Sequence, residues 1–216
     1  MKIQNNNAPS GLPATLTGFE TINRYWDEKH DIYAAKILPG EFYVSVSGEL
    51  ITTVLGSCIS ACIRDRKTGI GGMNHFMLPT DTRRNPNSWN DTPVNMQTRY
   101  GNIAMERLIN VILASGGKRS NLEIKLFGGG KVLQIETDIG GKNIDFVKQY
   151  LMTEGLNITA EDVGGIYPRK VLYYPKSGRV RVKKLINLHN DTVKQREKKY
   201  IKSLGTSPIE GRIDLF

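Results

Sequence analysis

Residues 52–79 read TTVLGSCISACIRDRKTGIGGMNHFMLP, and this stretch holds both cysteines of the 216-residue chain and one of its three histidines. Val54-Leu55 runs into Gly56-Ser57-Cys58, a tight bend that presents a thiol. Ile59, Ala61 and Ile63 then alternate with Ser60, Cys62 and Arg64, the two-residue period of a strand with distinct faces. Asp65-Arg66-Lys67-Thr68-Gly69 is a turn cluster, and alternation resumes from Ile70 to Leu78, so the segment predicts a β-hairpin. With Asp65–Thr68 as a four-residue loop, Arg64 faces Gly69 and Cys58 falls opposite His75. Directly opposed side chains have Cβ atoms roughly 4.5–5.5 Å apart.

A cysteine and a histidine at that separation suggest nucleophilic catalysis. Only the thiolate is a strong nucleophile, and a neighbouring imidazolium lowers the thiol pKa. Gly56 and Ser57 are placed to offer backbone N–H groups to a developing oxyanion. Gly71-Gly72 leaves room for a substrate backbone. Gly56, Ser57, Gly72 and Asn74 are therefore the candidate substrate-binding positions. A buried cysteine that merely packs is the plainer reading, and it is the one assigned to Cys62. Cys58, Cys62 and His75 are also three potential zinc ligands. Strand residues four apart are about 13 Å from each other, too far to share a metal, so no metal or cofactor is expected.

Outward from the hairpin, residues 1–16 mix Asn, Pro, Gly and Ser without periodicity and read as a disordered arm. Phe19, Ile22, Tyr25, Trp26 and Tyr33 come at helical spacing, which predicts a short amphipathic helix. Glu41–Ser47 and Leu50–Leu55 read as strands, the second carrying Thr52 and Thr53. Asp81–Met96 is a long polar segment with the character of a lid, bearing Trp89. Arg99–Leu113 and Asn143–Thr153 have helical apolar faces, with Ser115-Gly116-Gly117 stopping the first. Leu122–Phe127, Leu156–Val163, Lys170–Tyr174 and Val180–Leu185 read as strands, and Lys176-Ser177-Gly178 makes a hairpin of the last two. Gly128-Gly129-Gly130 is a close-approach loop. It is no nucleotide loop, because no Lys-Ser/Thr pair follows. Asn190 to about Leu204 predicts a charged helix before a short tail. Helices clustered between groups of strands indicate an α/β sandwich with one catalytic domain over residues 17–189 and a C-terminal appendage over 190–216.

The chain has no apolar run near 18 residues and no signal-like start, which suggests a cytoplasmic protein whose thiols stay reduced. Its net charge is +9. From Lys176 to Lys202 there are ten basic residues against Asp191 and Glu197, so this segment carries +8 of the total. No RNA-recognition motif accompanies the charge, which argues against nucleic acid as a partner. The segment reads either as a solvated charged helix without a specific role or as a patch that steers the protein to an acidic protein surface, with the membrane contacted peripherally at most.

LGSC followed by a strand, an Arg-Asp turn and GGMNHFMLP resembles the CheD family of chemoreceptor glutamine deamidases. The resemblance continues in GFETINRYWD (18–27), AAKILPGEFYVS (34–45), RYGNIAMERLI (99–109), KLFGGG (125–130), IGGKNIDFV (139–147), DVGG (162–165) and PRKV (168–171). It spans residues 17 to about 204 and is closest to the longer members; Pro168 stands where many shorter members have glycine. Several properties are implied by the resemblance alone. The fold is a three-layer α-β-β sandwich with a mixed or antiparallel sheet, of cysteine-hydrolase type. The family nucleophile falls on Cys58 and its histidine on His75. The family threonine, six residues before the cysteine, falls on Thr52, with the role of orienting His75. The implied reaction is hydrolysis of receptor glutamine side chains to glutamate, with the cytoplasmic domains of chemoreceptors as substrate and a CheC-type phosphatase as a possible docking partner. A glutamyl methylesterase, or an adaptor without turnover, is the alternative.

Overall fold

The computed structural model describes residues 11–79, 93–133, 138–186 and 191–204. The elements in order are β1 (Asn23–Asp27), β2 (Ile32–Lys36), β3 (Phe42–Ser45), β4 (Leu50–Leu55), β5 (Ile59–Asp65), β6 (Gly71–Asn74), α1 (Pro93–Ala114), β7 (Leu122–Gly128), α2 (Ile139–Thr153), β8 (Ile158–Val163), β9 (Arg169–Tyr174), β10 (Arg179–Lys184) and α3 (Asp191–Leu204). The strands form two five-stranded mixed sheets, in the orders β1-β2-β4-β9-β10 and β3-β6-β5-β7-β8. In the first, only the β2–β4 pair is parallel; in the second, only β7–β8 is.

Strand parity sets the layers. On β5, Arg64 donates to the Lys176 carbonyl in the β9–β10 turn, and Lys125 of the adjoining β7 donates to the Gly178 carbonyl. The face with Cys62 and Arg64 therefore looks at the other sheet. The opposite face, with Ala61 and Ile63, looks at the helices: Asn74, level with Ala61, donates to the Ala104 carbonyl of α1. Helices, second sheet and first sheet thus stack as an α-β-β sandwich, with Ile51, Leu55, Ile63, Met73, Leu108, Ile112, Leu126 and Tyr173 filling its core. Burying one such side chain contributes about 1.5–3 kcal/mol, so the two interlayer spaces hold the fold together.

The helix expected over Phe19–Tyr33 is instead the β1–β2 hairpin. Its apolar residues satisfy helical spacing only because aromatic pairs were spread over two strands. Trp26 lies directly across from Tyr33, with ring centroids 4.9 Å apart in an edge-to-face contact. The turn is closed by Asp31 at φ 52°, a conformation that aspartate tolerates better than most residues. Of the expected arm, residues 1–10 lie outside the described residues. Residues 11–16 lie along the first sheet, where Gly11 and Pro13 carbonyls accept from Tyr33 and Arg24. The first long helix begins at Pro93 rather than Arg99, and the second at Ile139 rather than Asn143. The lid segment, with Trp89, is otherwise outside the described residues up to Thr92.

Candidate active site

β4 and β5 are the central strands of their respective sheets, and only Gly56-Ser57-Cys58 separates them. The chain crosses from one sheet to the other in three residues, and the cysteine stands at that crossing. A bend this tight needs outside support. Gly129 and Gly130 donate to the carbonyls of Cys58 and Gly56, each at 2.7 Å, and the Asn143 amide donates to the Ser57 carbonyl at 2.8 Å. Gly128, at φ 111°, brings its own backbone against the Cys58 carbonyl, where a Cβ would collide with it. The triple-glycine loop is thus the close-approach loop its composition suggests, and what it approaches is the Gly56–Cys58 bend. Arg169, 1 % exposed, ties this loop to the next: its guanidinium reaches the carbonyls of Gly128, Asp162 and Gly164 and the Asp162 carboxylate at 2.9 Å. The DVGG and PRKV motifs are two halves of that brace.

The hairpin forms, but two residues out of the expected register. Arg64 pairs with Gly71, Cys62 with Met73 and Ile59 with Phe76. The loop is Arg66–Gly69, because the buried Asp65 carboxylate accepts the Lys67 and Thr68 N–H groups and the Asp65 N–H bonds the Ile70 carbonyl. Asp65 thereby belongs to the strand rather than to the turn. Continuing the ladder puts Met77, not His75, level with Cys58. A slip of two conserves facing, so Cys58 and His75 remain diagonal neighbours on the face turned toward the first sheet.

From that sheet comes the histidine's partner, and it is not Thr52. The Thr53 hydroxyl lies 2.8 Å from His75 Nδ1 and donates at 2.8 Å to the Ile37 carbonyl. Having given its only proton to Ile37, it accepts from Nδ1–H. The imidazole is therefore the Nδ1–H tautomer, with a lone pair on Nε2. That Nε2 is buried and has no hydrogen-bond partner among the described residues. Thr52 points away along β4 and donates to the Val171 carbonyl at 3.0 Å. Neighbours on a strand face opposite ways, so only one of the two threonines can reach His75.

The other candidate positions divide. Gly56 and Ser57 direct their N–H groups to a buried side-chain carboxylate, that of Glu197. Gly72 leaves no room for a substrate: a Cβ there would strike the Tyr43 carbonyl and, at 2.7 Å, Leu108. Its lack of a side chain serves the packing of β3 and α1 on β6. Asn74 is spent inside the fold, accepting from the Ala61 N–H and donating to Ala104 and Met105. A pocket of ≈ 70 Å³ opens beside His75, lined among others by Gly40, Phe42, Phe76, Tyr100 and Arg107.

The residue that the sequence reading missed is Glu197 on α3. Its carboxylate, 2 % exposed, accepts from the N–H groups of Gly56 (3.0 Å), Ser57 (3.0 Å) and Cys58 (3.2 Å) and from the Ser57 hydroxyl (2.8 Å). A readable signal existed. Val193, Glu197, Tyr200, Ile201 and Leu204 form one helical stripe, and the acid is the only charged member of it. The basic segment therefore reaches the Gly56–Cys58 bend, contrary to its reading as a surface patch alone.

Electrostatics follow from burial and from this carboxylate. Burial pushes the Cys58 thiol well above its ordinary value, and the charge and hydrogen bond of Glu197 push the same way. Burial takes His75 down to about 3, aided by the nearby Arg196 guanidinium. Both shifts favour the neutral forms, against the thiolate–imidazolium pair that the spacing suggests. Burial also raises the Cys62 thiol, which packs in the core.

A family model described as CheD chemotactic sensory transduction matches residues 77–184. A probable chemoreceptor glutamine deamidase CheD of Halorhodospira halophila is 56% identical over 205 residues, 95% of this chain and 94% of that protein. The corresponding protein of Hahella chejuensis is 50% identical over 96% of this chain and 97% of its own length. The chain belongs to the CheD family. The family model begins two residues after His75, whereas the alignments to whole CheD relatives cover nearly all of the chain.

Proposed function

We propose that this chain is a chemoreceptor glutamine deamidase that works through Cys58 and His75. The observation carrying this reading is the tautomer lock. Thr53 holds the Nδ1 proton, which leaves Nε2 a base without a hydrogen-bond partner among the described residues, on a side chain that shares its strand face with Cys58. His75 Nε2 takes the thiol proton as sulfur attacks the amide carbon, and the new oxyanion is received by the N–H groups of the Gly56–Cys58 bend. The C–N bond then breaks, and the same imidazole returns the proton to departing ammonia. Water, deprotonated by Nε2, hydrolyses the thioester to glutamate and free thiol. In this reading His75 serves as the general base toward the Cys58 thiol as the sulfur attacks. That the CheD relatives are named as probable glutamine deamidases favours the amide over the glutamyl methyl ester. The Cys58–His75–Thr53 set favours an enzyme over an adaptor, for which a tautomer lock has no use.

The test is incubation of receptor cytoplasmic fragments with the protein, followed by peptide mass spectrometry. Specific glutamines gain about 1 Da with the wild type and none with Cys58→Ala. Receptor glutamines converted at the wild-type rate by Cys58→Ala remove the mechanism; methanol release without any amide conversion replaces the deamidase by the esterase.

A further inference from the structure

The Glu197 carboxylate is held by three successive main-chain N–H groups and the Ser57 hydroxyl, with no lysine or arginine in that set. A buried carboxylate is costly to desolvate unless such donors surround it. This cradle matches what an acyl-transfer site offers to a reacting carboxyl group, and the same carboxylate accepts from the Cys58 N–H, beside the thiol whose ionisation its charge disfavours. Gly56 is what admits it: a Cβ at that position would lie 2.7 Å from both carboxylate oxygens. The rest of α3 is fastened beside the site, with Tyr200 hydrogen-bonded to Tyr100 and its ring against Gly40.

Resting on the deamidase reading above, we propose that α3 is a built-in product mimic. Glu197 occupies the place that a newly made glutamate side chain takes against Cys58, and a substrate glutamine enters only after α3 withdraws. The arrangement also states how substrate arrives. The occupying side chain is delivered from the flank of an α-helix, so the cradle accepts a glutamine projecting from a helix without that helix unwinding. α3 bears Arg196, Lys198, Lys199 and Lys202 on its exposed face. An acidic helical partner is therefore suited to draw α3 off the site that it then fills. In the closed conformation the carboxylate keeps the thiol protonated; withdrawal removes that anion and opens the bend to water, so the thiolate becomes accessible when the site is free.

Glu197→Gln turns the mimic into a substrate in cis. Sulfur adds to the side-chain amide carbon at position 197, ammonia leaves with the proton held by His75, and water releases glutamate and thiol. The purified full-length variant, without receptor, is expected to gain about 1 Da at position 197, and the double variant with Cys58→Ala to gain nothing. Glu197→Ala is expected to speed iodoacetamide alkylation of Cys58 at neutral pH at least tenfold, since lowering a thiol pKa by one unit multiplies the thiolate about tenfold, and to raise receptor deamidation. Tyr200→Phe loosens α3 without altering the cradle, so it is expected to accelerate alkylation to a lesser degree, with folding checked by thermal unfolding. An introduced amide that persists in a preparation still deamidating receptor glutamines overturns the proposal. Alkylation at the wild-type rate in folded Tyr200→Phe and Glu197→Ala overturns it as well. Loss of the deamidase reading is a separate outcome: no receptor conversion by any variant, in which case alkylation alone decides whether Glu197 blocks the thiol.

Discussion

Thr53→Val, set against Thr52→Val, separates the two threonines by their different partners. Valine has nearly the shape of threonine, so the loss is confined to the hydroxyl. At position 53 that hydroxyl makes two buried bonds of 2.8 Å, one to the Ile37 carbonyl and one from His75 Nδ1–H. Removing it leaves a buried donor and a buried acceptor, each costing about 1–3 kcal/mol. Part of that cost falls on stability and part on the tautomer. An Nδ1–H without an acceptor no longer outcompetes the Nε2–H form, which cannot take the thiol proton. A tautomer shift of 1–3 kcal/mol corresponds to a roughly 5- to 150-fold loss of kcat/KM, at about 1.4 kcal/mol per factor of ten. At position 52 the hydroxyl makes one bond, to Val171, so its loss costs about 1 kcal/mol of stability and leaves the kinetics unchanged. The assay is receptor deamidation followed by mass spectrometry, with thermal unfolding of each variant alongside and Thr53→Ser as the rescue. Equal kinetic damage from both valines, or full activity in folded Thr53→Val, refutes the assignment of Thr53 as the residue that positions His75.

Cys58→Ala abolishes deamidation with little change in unfolding temperature, whereas Cys62→Ala keeps its activity but loses stability by opening a cavity between the sheets; the reverse pattern in matched assays would move the nucleophile to Cys62. His75 predicts an acid limb for stability. Its folded value near 3 lies below the ordinary 6.5, so between those values the unfolded chain binds a proton that the folded chain refuses. Stability from this group is complete above about pH 6.5 and declines toward pH 3 at up to about 1.4 kcal/mol per unit. In denaturant titrations His75→Gln flattens that window, and an unaltered slope shows that another group sets it. Asp65 acts below it: backbone N–H groups hold its carboxyl far beneath the usual 3.8 despite burial, so its contribution is present above pH 3.8 and is lost on further acidification. Reversing Lys198, Lys199 and Lys202 to Glu lowers receptor kcat/KM several-fold at low ionic strength and abolishes its salt dependence, since exposed charges act over a Debye length of about 8 Å at 0.15 M salt; unchanged kinetics at low salt would confine these lysines to solubility.

Much of this molecule is determined locally and is legible in the chain. Alternation places β4, β5 and β6, apolar stripes place α1 and α2, and Gly56-Ser57-Cys58 announces a bend with a thiol on it. Facing along the hairpin is legible too, because parity survives a slip of two. Register is not, because it depended on whether Asp65 closes the loop or ends the strand. That was decided by Lys118 and Asn121, whose N–H groups reach the Asp65 carboxylate from more than fifty residues away. The same applies to Thr52 and Thr53. Both are β-branched residues of one strand, and which of them meets His75 depends on how one sheet lies over the other, a relation that no pattern within β4 records. The β1–β2 hairpin was misread because aromatic residues on two paired strands can imitate a helical stripe; only pairing partners distinguish them. Glu197 is the furthest case. Its place on an apolar stripe is written in the sequence, but its 139-residue separation from Cys58 means that only the folded chain brings carboxylate and thiol together.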